Sequence, residues 1–468
     1  MSTFSGLNTA TTALWAQQRG LDVTGQNIAN VNTAGYSRQR AQLQSVGGNV
    51  VPATYAVSKQ IGQGVDADTV IRIRDAFLEV RAQTESSTTA SMTVTDDTLA
   101  QIEQAFREPG DTGIQAKLTA VFTAWADVAN HPTEDGARTA VLQKTATLVA
   151  ELHTTSANLD KAWVQTRDSL DTLAQDVNAK AASIAELNTA IKRATQSGQP
   201  VNELADKRDG LVLELSAAIG ATSSPGADGQ VDVVVSGATL IAGGTSIALK
   251  VVGTTDPKAV ATGAPAFLTD PGNTPLAVGG TAGGKLTALT STLPGYRTRL
   301  DSVAQQLADE VNTAHTNGYD KAGVKGGAMF GDGAGGTTAI TAANLTMLIT
   351  DTAKLAAASV GPGPTSDAGN AAALAAMAKS STGAAVSYRK LIVSLGVEAA
   401  VATSNLQTQT VITSQVDASR EAVSGVNLDE EMTNMLQFQH AYSAAARMIT
   451  AIDETLDVLI NRTGRVGL

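Results

Sequence analysis

Residues 1–31 place Phe4, Leu7, Leu14, Leu21 and Ile28 on one line with three-then-four spacing, with Thr11, Gln18 and Gly25 between them. That is the pattern of a helix offering one narrow seam to a partner. Asn27, Asn30, Asn32 and Gly35 follow, residue types that end helices and accept turn dihedrals. Residues 41–73 read as extended chain and loops, punctuated by Gly47-Gly48, Pro52 and Gly62-Gln63-Gly64. Helical spacing returns over 75–107, closing with Leu99, Ile102 and Phe106 before Pro109-Gly110. A further helix runs from Ile114 through Leu118, Val121, Phe122, Trp125 and Val128 to His131-Pro132. The longest spans 138–194, where every seventh position gives Leu142, Val149, Ser156, Trp163, Leu170, Val177, Ile184 and Ile191. A second row, Leu152, Leu159, Leu173 and Leu187, lies beside it, so the segment reads as one rod in a bundle. A shorter helix covers 201–219.

The pattern changes at Gly220. To Gly284, β-branched runs such as Val231 to Val235 and Ile247 to Val252 alternate with Gly, Pro, Ser and Thr clusters, which predicts a small β domain inserted between helices. Helix resumes at Lys285, with a break expected near Pro294-Gly295, and continues through Leu300, Val303, Leu307 and Val311. Residues 317–370 predict loops and edge structure, with a short strand at Leu345 to Ile349. Helix returns from Ala371 and again over Tyr388 to Val423. After Ser424-Gly425 a final helix carries Leu428, Met432, Met435, Gln439, Tyr442, Ala446, Ile449, Asp453, Leu456 and Ile460 on its seam. Asn427 is a suitable N-cap for it, and Asp429, Glu430 and Glu431 complement the positive helix start. The fold class expected is mainly α with an inserted β domain. Residues 1–35 and 426–468 form a terminal helical core, 36–220 and 284–425 a long-helix bundle with extended loops, and 221–283 a β-rich outer domain.

Composition narrows the function. The chain has no cysteine, which excludes disulfides, zinc-thiolate sites and thiol nucleophiles. A net charge of −11 repels nucleic acid and anionic membranes, so neither is an expected partner. Aromatics at 3% and charges at 16% suit slender helices better than a compact catalytic domain. No run reaches the roughly 18 apolar residues of a membrane span, and the first residues lack a basic n-region and an unbroken apolar h-region, so no cleaved signal peptide is expected. Residues 1–35 hold only Arg19 and Asp22 as charged groups, too few to solvate the outward face of an exposed helix. The two terminal seams are therefore expected to pack on each other and on further copies of the chain. One antiparallel pair does not offset the entropy of ordering both ends, so the termini are expected to be disordered before assembly.

Those terminal residues carry a resemblance. The stretch Asn27-Ile-Ala-Asn-Val-Asn-Thr-Ala-Gly35 resembles the signature shared by rod, hook and hook-associated proteins of the bacterial flagellum. The continuation Tyr36-Ser37-Arg38-Gln39 is similar to hook-associated protein 1, the hook-filament junction family, where rod and hook proteins usually continue with Phe-Lys. Residues 424–447 and 452–459 resemble the same family, as do Lys207-Arg-Asp-Gly-Leu-Val and Gly283-Gly-Lys-Leu-Thr-Ala-Leu; residues 225–283 show no clear resemblance. The resemblance implies a non-enzymatic subunit without cofactor, carried out uncleaved by the flagellar type III apparatus to form a ring at the distal end of the hook. Its implied partners are copies of itself, hook protein, hook-associated protein 3, the distal cap protein in transit, and an export chaperone on the C-terminal helix. Leu7, Leu14, Leu21, Ile28, Leu428, Met432, Met435, Tyr442, Ile449, Leu456 and Ile460 are the expected assembly interface. Asn27, Asn30, Asn32, Gly35, Tyr36, Ser37, Arg38 and Gln39 are the motif, with an inter-subunit role expected for Tyr36, Arg38 and Gln39. A hook or rod subunit, or a secreted enzyme or adhesin on a flagellar scaffold, is the alternative.

Other constellations read as structure. Gly279-Gly-Thr-Ala-Gly-Gly284-Lys285-Leu286 nears a phosphate-binding loop, but Leu286 stands where a hydroxyl must ligate magnesium, so a domain-boundary hinge with a solvated lysine is expected. His131, His153, His315 and His440 are scattered, and no zinc-protease or Gly-x-Ser-x-Gly pattern occurs in residues 220–370. The loops at Asp320 and Asp332 lack the ladder of a calcium site and read as turns.

Overall fold

The computed structural model describes residues 3–47, 62–361 apart from 335 and 338, and 366–462. The predicted loop positions Gly48 and Pro52, and the side chain of Phe4, lie outside the described residues. Helix α1 (Thr3–Ala29) leads through a turn into the antiparallel strands β1 (Gln39–Ser45) and β2 (Val65–Arg72). Helices α2 (Ala76–Phe106), α3 (Ile114–Asn130), α4 (Asp135–Gln196) and α5 (Asn202–Ile219) follow. Asp75 caps α2 by accepting from the amides of Phe77 and Leu78, as a short carboxylate before an apolar run does. The α4 rod has 62 residues, and most of the expected rows become its buried side, namely Leu142, Val149, Leu152, Ser156, Leu159, Trp163, Leu170, Val177, Ile184 and Ile191, with Leu173 and Leu187 half-buried at its margin.

All seven strands between α5 and the next helix are short: β3 (Ala221–Pro225), β4 (Val231–Val235), β5 (Ala238–Ala242), β6 (Thr245–Ser246), β7 (Ala248–Val252), β8 (Ala266–Asp270) and β9 (Pro275–Leu276). They form a four-stranded antiparallel sheet in the order β3-β4-β5-β6 and a three-stranded one in the order β7-β8-β9. Both lie along α4, with Val233, Val235, Ile241, Leu249 and Phe267 in the same buried cluster as Ile184 and Val177. The chain leaves and re-enters the helices at one point: the Gly279 amide donates to Ile219 O at 2.8 Å. Gly220 there has φ +74, and a Cβ on it would sit 2.9 Å from Gly279 Cα, so this crossing needs glycine.

Helices α6 (Gly280–Thr287) and α7 (Leu293–Asn317) depart from expectation, for the break near Pro294 is absent. A π-helical turn at Ala288–Thr292 joins the two, and Pro294 falls at the start of α7, where it has no amide to lose. Strands β10 (Phe330–Gly331) and β11 (Thr346–Met347) make a minimal pair within the loops, shorter than the strand expected at Leu345 to Ile349. Helices α8 (Gly369–Ala376), α9 (Ala384–Ser424) and α10 (Leu428–Asp457) close the order. The mainly aliphatic core of the helical body includes an aromatic group in which Phe106 meets Tyr296 and Tyr388 at ring distances of 6.4 and 6.3 Å. The α9 helix returns along α2, with Thr89 and Thr413 hydroxyls 2.8 Å apart and Arg420 paired with Glu79 at 3.0 Å.

Lys285 is not the solvated residue expected. It is half-buried and donates to Ser169 Oγ at 2.7 Å, and burial pushes its pKa down. The carboxylates of Asp320 and Asp332 are spent on turn amides, those of Ala322 and Val324 and of Ala334 and Gly336. Among the described residues no group of three or more His, Cys, Asp or Glu is placed to hold a metal ion, and no helix is long and apolar enough to cross a membrane.

Candidate assembly site

The two chain ends meet as a pair of helices. Asn27 bonds Glu431, Gly20 lies under the Phe438 ring, and Gly6 faces Ile452, so one number falls as the other rises and α1 and α10 run antiparallel. The contact line on α1 runs through Gly6, Gly20 and Asn27, and Ala10, Ala16, Gly20, Val23 and Thr24 are buried beneath α10 and the β1–β2 ribbon together. A Cβ at Gly20 would come within 2.9 Å of three Phe438 ring atoms, which is why the ring fits only over glycine. On α10 the line is Glu431, Phe438, Ala445 and Ile452. The β1–β2 ribbon covers another side of α1, with Asn8 donating to Gln63 O at 3.3 Å.

The expected seam residues flank this line. Leu7, Leu14, Leu21 and Ile28 on α1, and Met435, Tyr442, Ile449 and Leu456 on α10, are half-buried. Leu428 (46% exposed), Met432 (54%) and Ile460 (73%) project into solvent, as do Trp15 (65%) and Leu436 (54%), which pattern reading passed over. The seam Leu spacing was visible, whereas the true contact line was hidden because Gly and Ala carry little hydrophobic signal.

The motif residues close into a clasp at one end of the pair. Asn27, 1% exposed, uses its whole amide. Its Nδ2 donates to Gln39 O at 2.9 Å and Glu431 Oε2 at 3.1 Å, and its Oδ1 accepts from Tyr36 OH at 2.8 Å and the Gln39 amide at 3.0 Å. Arg38 donates to Glu431 Oε1 and Glu430 Oε2, both at 2.7 Å, and its amide donates to Ser424 O at 2.8 Å. Burial, then the carboxylates of Asp206, Glu431 and Glu203, push the Tyr36 pKa up to about 12, so the phenol stays a donor. Burial pulls the Arg38 pKa down, and Glu430 and Glu431 more than restore it. The Ser37 amide donates to Asp206 at 3.2 Å and Gln39 Oε1 accepts from Asn202 at 3.0 Å, which ties the clasp to α5. Gly35 takes φ +78 in the turn, Asn30 returns its side chain to Gln26 O and accepts from Thr33, and Asn32 is exposed. Within one chain, then, Arg38 and Asn27 join the N-terminal segment to α10, and Tyr36 and Gln39 hold Asn27 in place for it.

Beside the clasp stands a collar of charges that sequence reading missed. Arg72 donates to Asp206 and Asp209 at 2.8 Å each, Arg74 reaches Asp209 and Glu79, and Arg420 pairs with Glu79 at 3.0 Å and Asp417 at 3.1 Å. Arg208 completes the set with Asp209 at 3.0 Å. This links β2, α5, α2 and α9 where the terminal pair joins the helical body. Two clefts of about 640 and 400 Å³ flank the 30–38 loop, one against the α9–α10 turn and the other against α5.

Residues 7–36 match the model of the flagella basal body rod protein, 413–462 that of the flagellar basal body rod FlgEFG protein C-terminal region, and 99–330 the flagellar hook-associated protein FlgK helical domain. Across the whole chain and 99% of the relative, identity with flagellar hook-associated protein 1 of Bacillus subtilis (strain 168) is 31%. The chain belongs to the flagellar hook-associated protein 1 family. Hook-associated protein 1 of Escherichia coli (strain K12) is 25% identical over 97% of the chain and 99% of that protein. The flagellar hook junction protein FlgK from Burkholderia pseudomallei shares the fold, with a TM-score of 0.64 at 16% identity over 74% of this chain and 100% of that one. As a member of that family, the chain is a structural, non-enzymatic component of the bacterial flagellum that assembles with other flagellar proteins. Asn27, Tyr36 and Glu431 of the clasp fall inside the two matches to rod-protein models.

Proposed function

We propose that this protein is the junction subunit between hook and filament, built into a ring of copies at the distal end of the hook. The observation that carries the reading is the antiparallel pair of its own ends, whose outward side shows Trp15, Leu428, Met432 and Leu436 to solvent. An apolar set of that size on paired helices calls for further burial against other subunits. Leu7, Leu14, Leu21 and Ile28, with Met435, Tyr442, Ile449 and Leu456, border the α1–α10 contact and supply the rest of the interface. Residues 1–35 and 426–468 act as the terminal core, disordered before assembly; 36–220 with 284–425 form the surrounding body, and 221–283 the outward domain. Export uncleaved through the flagellar type III apparatus, with a chaperone over α10, delivers the chain outside the cell. Hook protein lies on one face of the ring, hook-associated protein 3 on the other, and the distal cap protein passes in transit.

Cosedimentation with isolated hooks tests this, run beside a version lacking residues 1–35 and 428–468. The full chain is expected to pellet with hooks and the shortened one to stay in the supernatant. Failure of the full chain to pellet would remove the junction reading; pelleting of both would remove the role of the ends.

A further inference from the structure

Away from the terminal pair, α2 and α9 form a two-helix ribbon whose two outer edges are both unlike a solvated helix face. Gln409, Thr413 and Arg420 of α9 reach Glu85, Thr89 and Glu79 of α2. Val411 lies about 200° around α9 from Gln409 and Thr413, and Ala418 about 200° from Arg420, so both point away from α2. On that outer face Val393 is 66% exposed, Val397 58%, Val401 52% and Val411 67%. Residues 399–416 contain no charged side chain. On the opposite edge, Phe77 lies about 200° around α2 from Glu79, and it is 71% exposed, next to Val80 at 42%.

The charges on the two edges match. Arg81 stands beside Phe77 and Val80, with its side chain 49% exposed and 3.6 Å from Glu85 one turn along the same helix. Asp417 and the exposed Glu421 flank Ala418 and Ala422 on α9. Because Glu79 pairs with Arg420, Phe77 lies at the level of Ala422, a large side chain at the height of small ones.

We infer that the Phe77, Val80, Arg81 and Thr84 edge of α2 in one copy docks on the Val411, Ala418 and Ala422 face of α9 in the next copy, with Arg81 towards Glu421. The contact uses opposite edges of one ribbon, so it is head-to-side and propagates around a ring. The α9 face from Val411 to Ala422 is roughly 16 Å long and 10 Å wide, about 160 Å², against about 800 Å² per partner in a stable pairwise interface. One contact alone is therefore too small to hold two free copies, and it becomes effective where the hook end sets copies side by side. The inference rests on the junction reading and adds the lateral surface to it.

The absence of cysteine makes the test direct. A chain carrying Phe77→Cys and Ala418→Cys is bound to hooks and treated with a short bis-maleimide. Within one chain the two positions lie on opposite edges, on the order of 20 Å apart, so a short linker joins neighbouring copies. A ladder of dimers, trimers and higher species is expected on hooks, at least tenfold weaker in unbound chain, and absent from either single variant. Dimers from a single variant would mean a two-fold contact and overturn the head-to-side assignment. Hook binding without a ladder, from this pair and from Thr84→Cys with Val411→Cys, would overturn the contact and leave the junction reading standing. Failure of the unsubstituted chain to bind hooks would overturn the junction reading itself.

Discussion

His315 is fully buried, and its two ring nitrogens face fixed backbone groups. Nδ1 lies 2.7 Å from Gly327 O, and the Ala356 amide points at Nε2 from 2.9 Å. A carbonyl only accepts and an amide only donates, so the ring is held neutral with its proton on Nδ1. Burial first of all pushes its pKa below the ordinary 6.5. In the unfolded chain the imidazole takes up a proton near its ordinary pKa, in the folded chain only at lower pH. Stability from this group is therefore present above about pH 6.5 and lost as pH falls from there through the folded value. The thermal midpoint of the helical body is expected to drop in that window. In His315→Leu the drop should flatten, while stability at pH 7.5 falls by about 2–4 kcal/mol from two backbone groups left unpaired; a midpoint series from pH 7.5 to 5 on both proteins reads it. Asn27 teaches the same lesson at the chain ends. Asn27→Ala removes four hydrogen bonds, one of them to Glu431, and a loss of about 2–3 kcal/mol in clasp closure is expected, read as faster tryptic cleavage at Arg19 in hook-bound chain. Unchanged cleavage would show that the clasp does not hold the end of α1.

At the scale of elements, α4 holds the small sheets through two asparagines. Asn188, 0% exposed, donates to Val231 O and Gly243 O at 2.7 Å and accepts from the Val231 amide at 3.1 Å. Asn178 does the same for the Leu249 backbone, at 2.8 and 2.7 Å. Side chains on a rod thus complete the backbone hydrogen bonds that short strands leave open. Asn188→Leu is expected to lower stability by about 2–4 kcal/mol, since buried backbone groups lose their partners, with faster amide exchange over 231–243; exchange confined to α4 would contradict this docking role. The heptad rows of α4 were legible because apolar periodicity is local, and Asn178 and Asn188 were not, because a polar residue in a helical repeat looks like any solvated position. The missing break at Pro294 has a similar origin: proline signals lost helical bonding, but a π turn and the surrounding bundle absorb it.

For the molecule as a whole, the collar decides how the terminal pair stands on the body. Asp209 is its hub, meeting Arg72, Arg74 and Arg208 with a side chain 20% exposed. Asp209→Ala leaves three guanidinium groups crowded without that carboxylate, and about 2–4 kcal/mol of docking energy should be lost after allowance for solvent screening. Amide exchange over 39–45 and 65–72 is expected to quicken with unchanged helix content, and unchanged exchange would mean that the β1–β2 ribbon holds its place without the collar. Ile449→Asp acts elsewhere: a buried charge at the terminal interface should abolish hook binding, while the thermal midpoint of the body over 75–220 stays within experimental error. Collapse of that midpoint would contradict the independence of body and ends.

Element order, the α4 rod, the strand-rich stretch between α5 and α6 and the motif at 27–39 were all readable in the chain. Each is a short-range pattern, set by helix or strand period, turn chemistry or contiguous residue identity. Only tertiary structure decided which side of α1 faces α10, because Gly20 and Phe438 define that line by fit and not by hydrophobicity. It also decided that Asn27 and Glu431, 404 positions apart, share a buried hydrogen bond, and that arginines on β2 and α9 converge with carboxylates on α2 and α5. Charged and polar side chains advertise solvent in a sequence; they become joints when folding removes the water and leaves one another as partners.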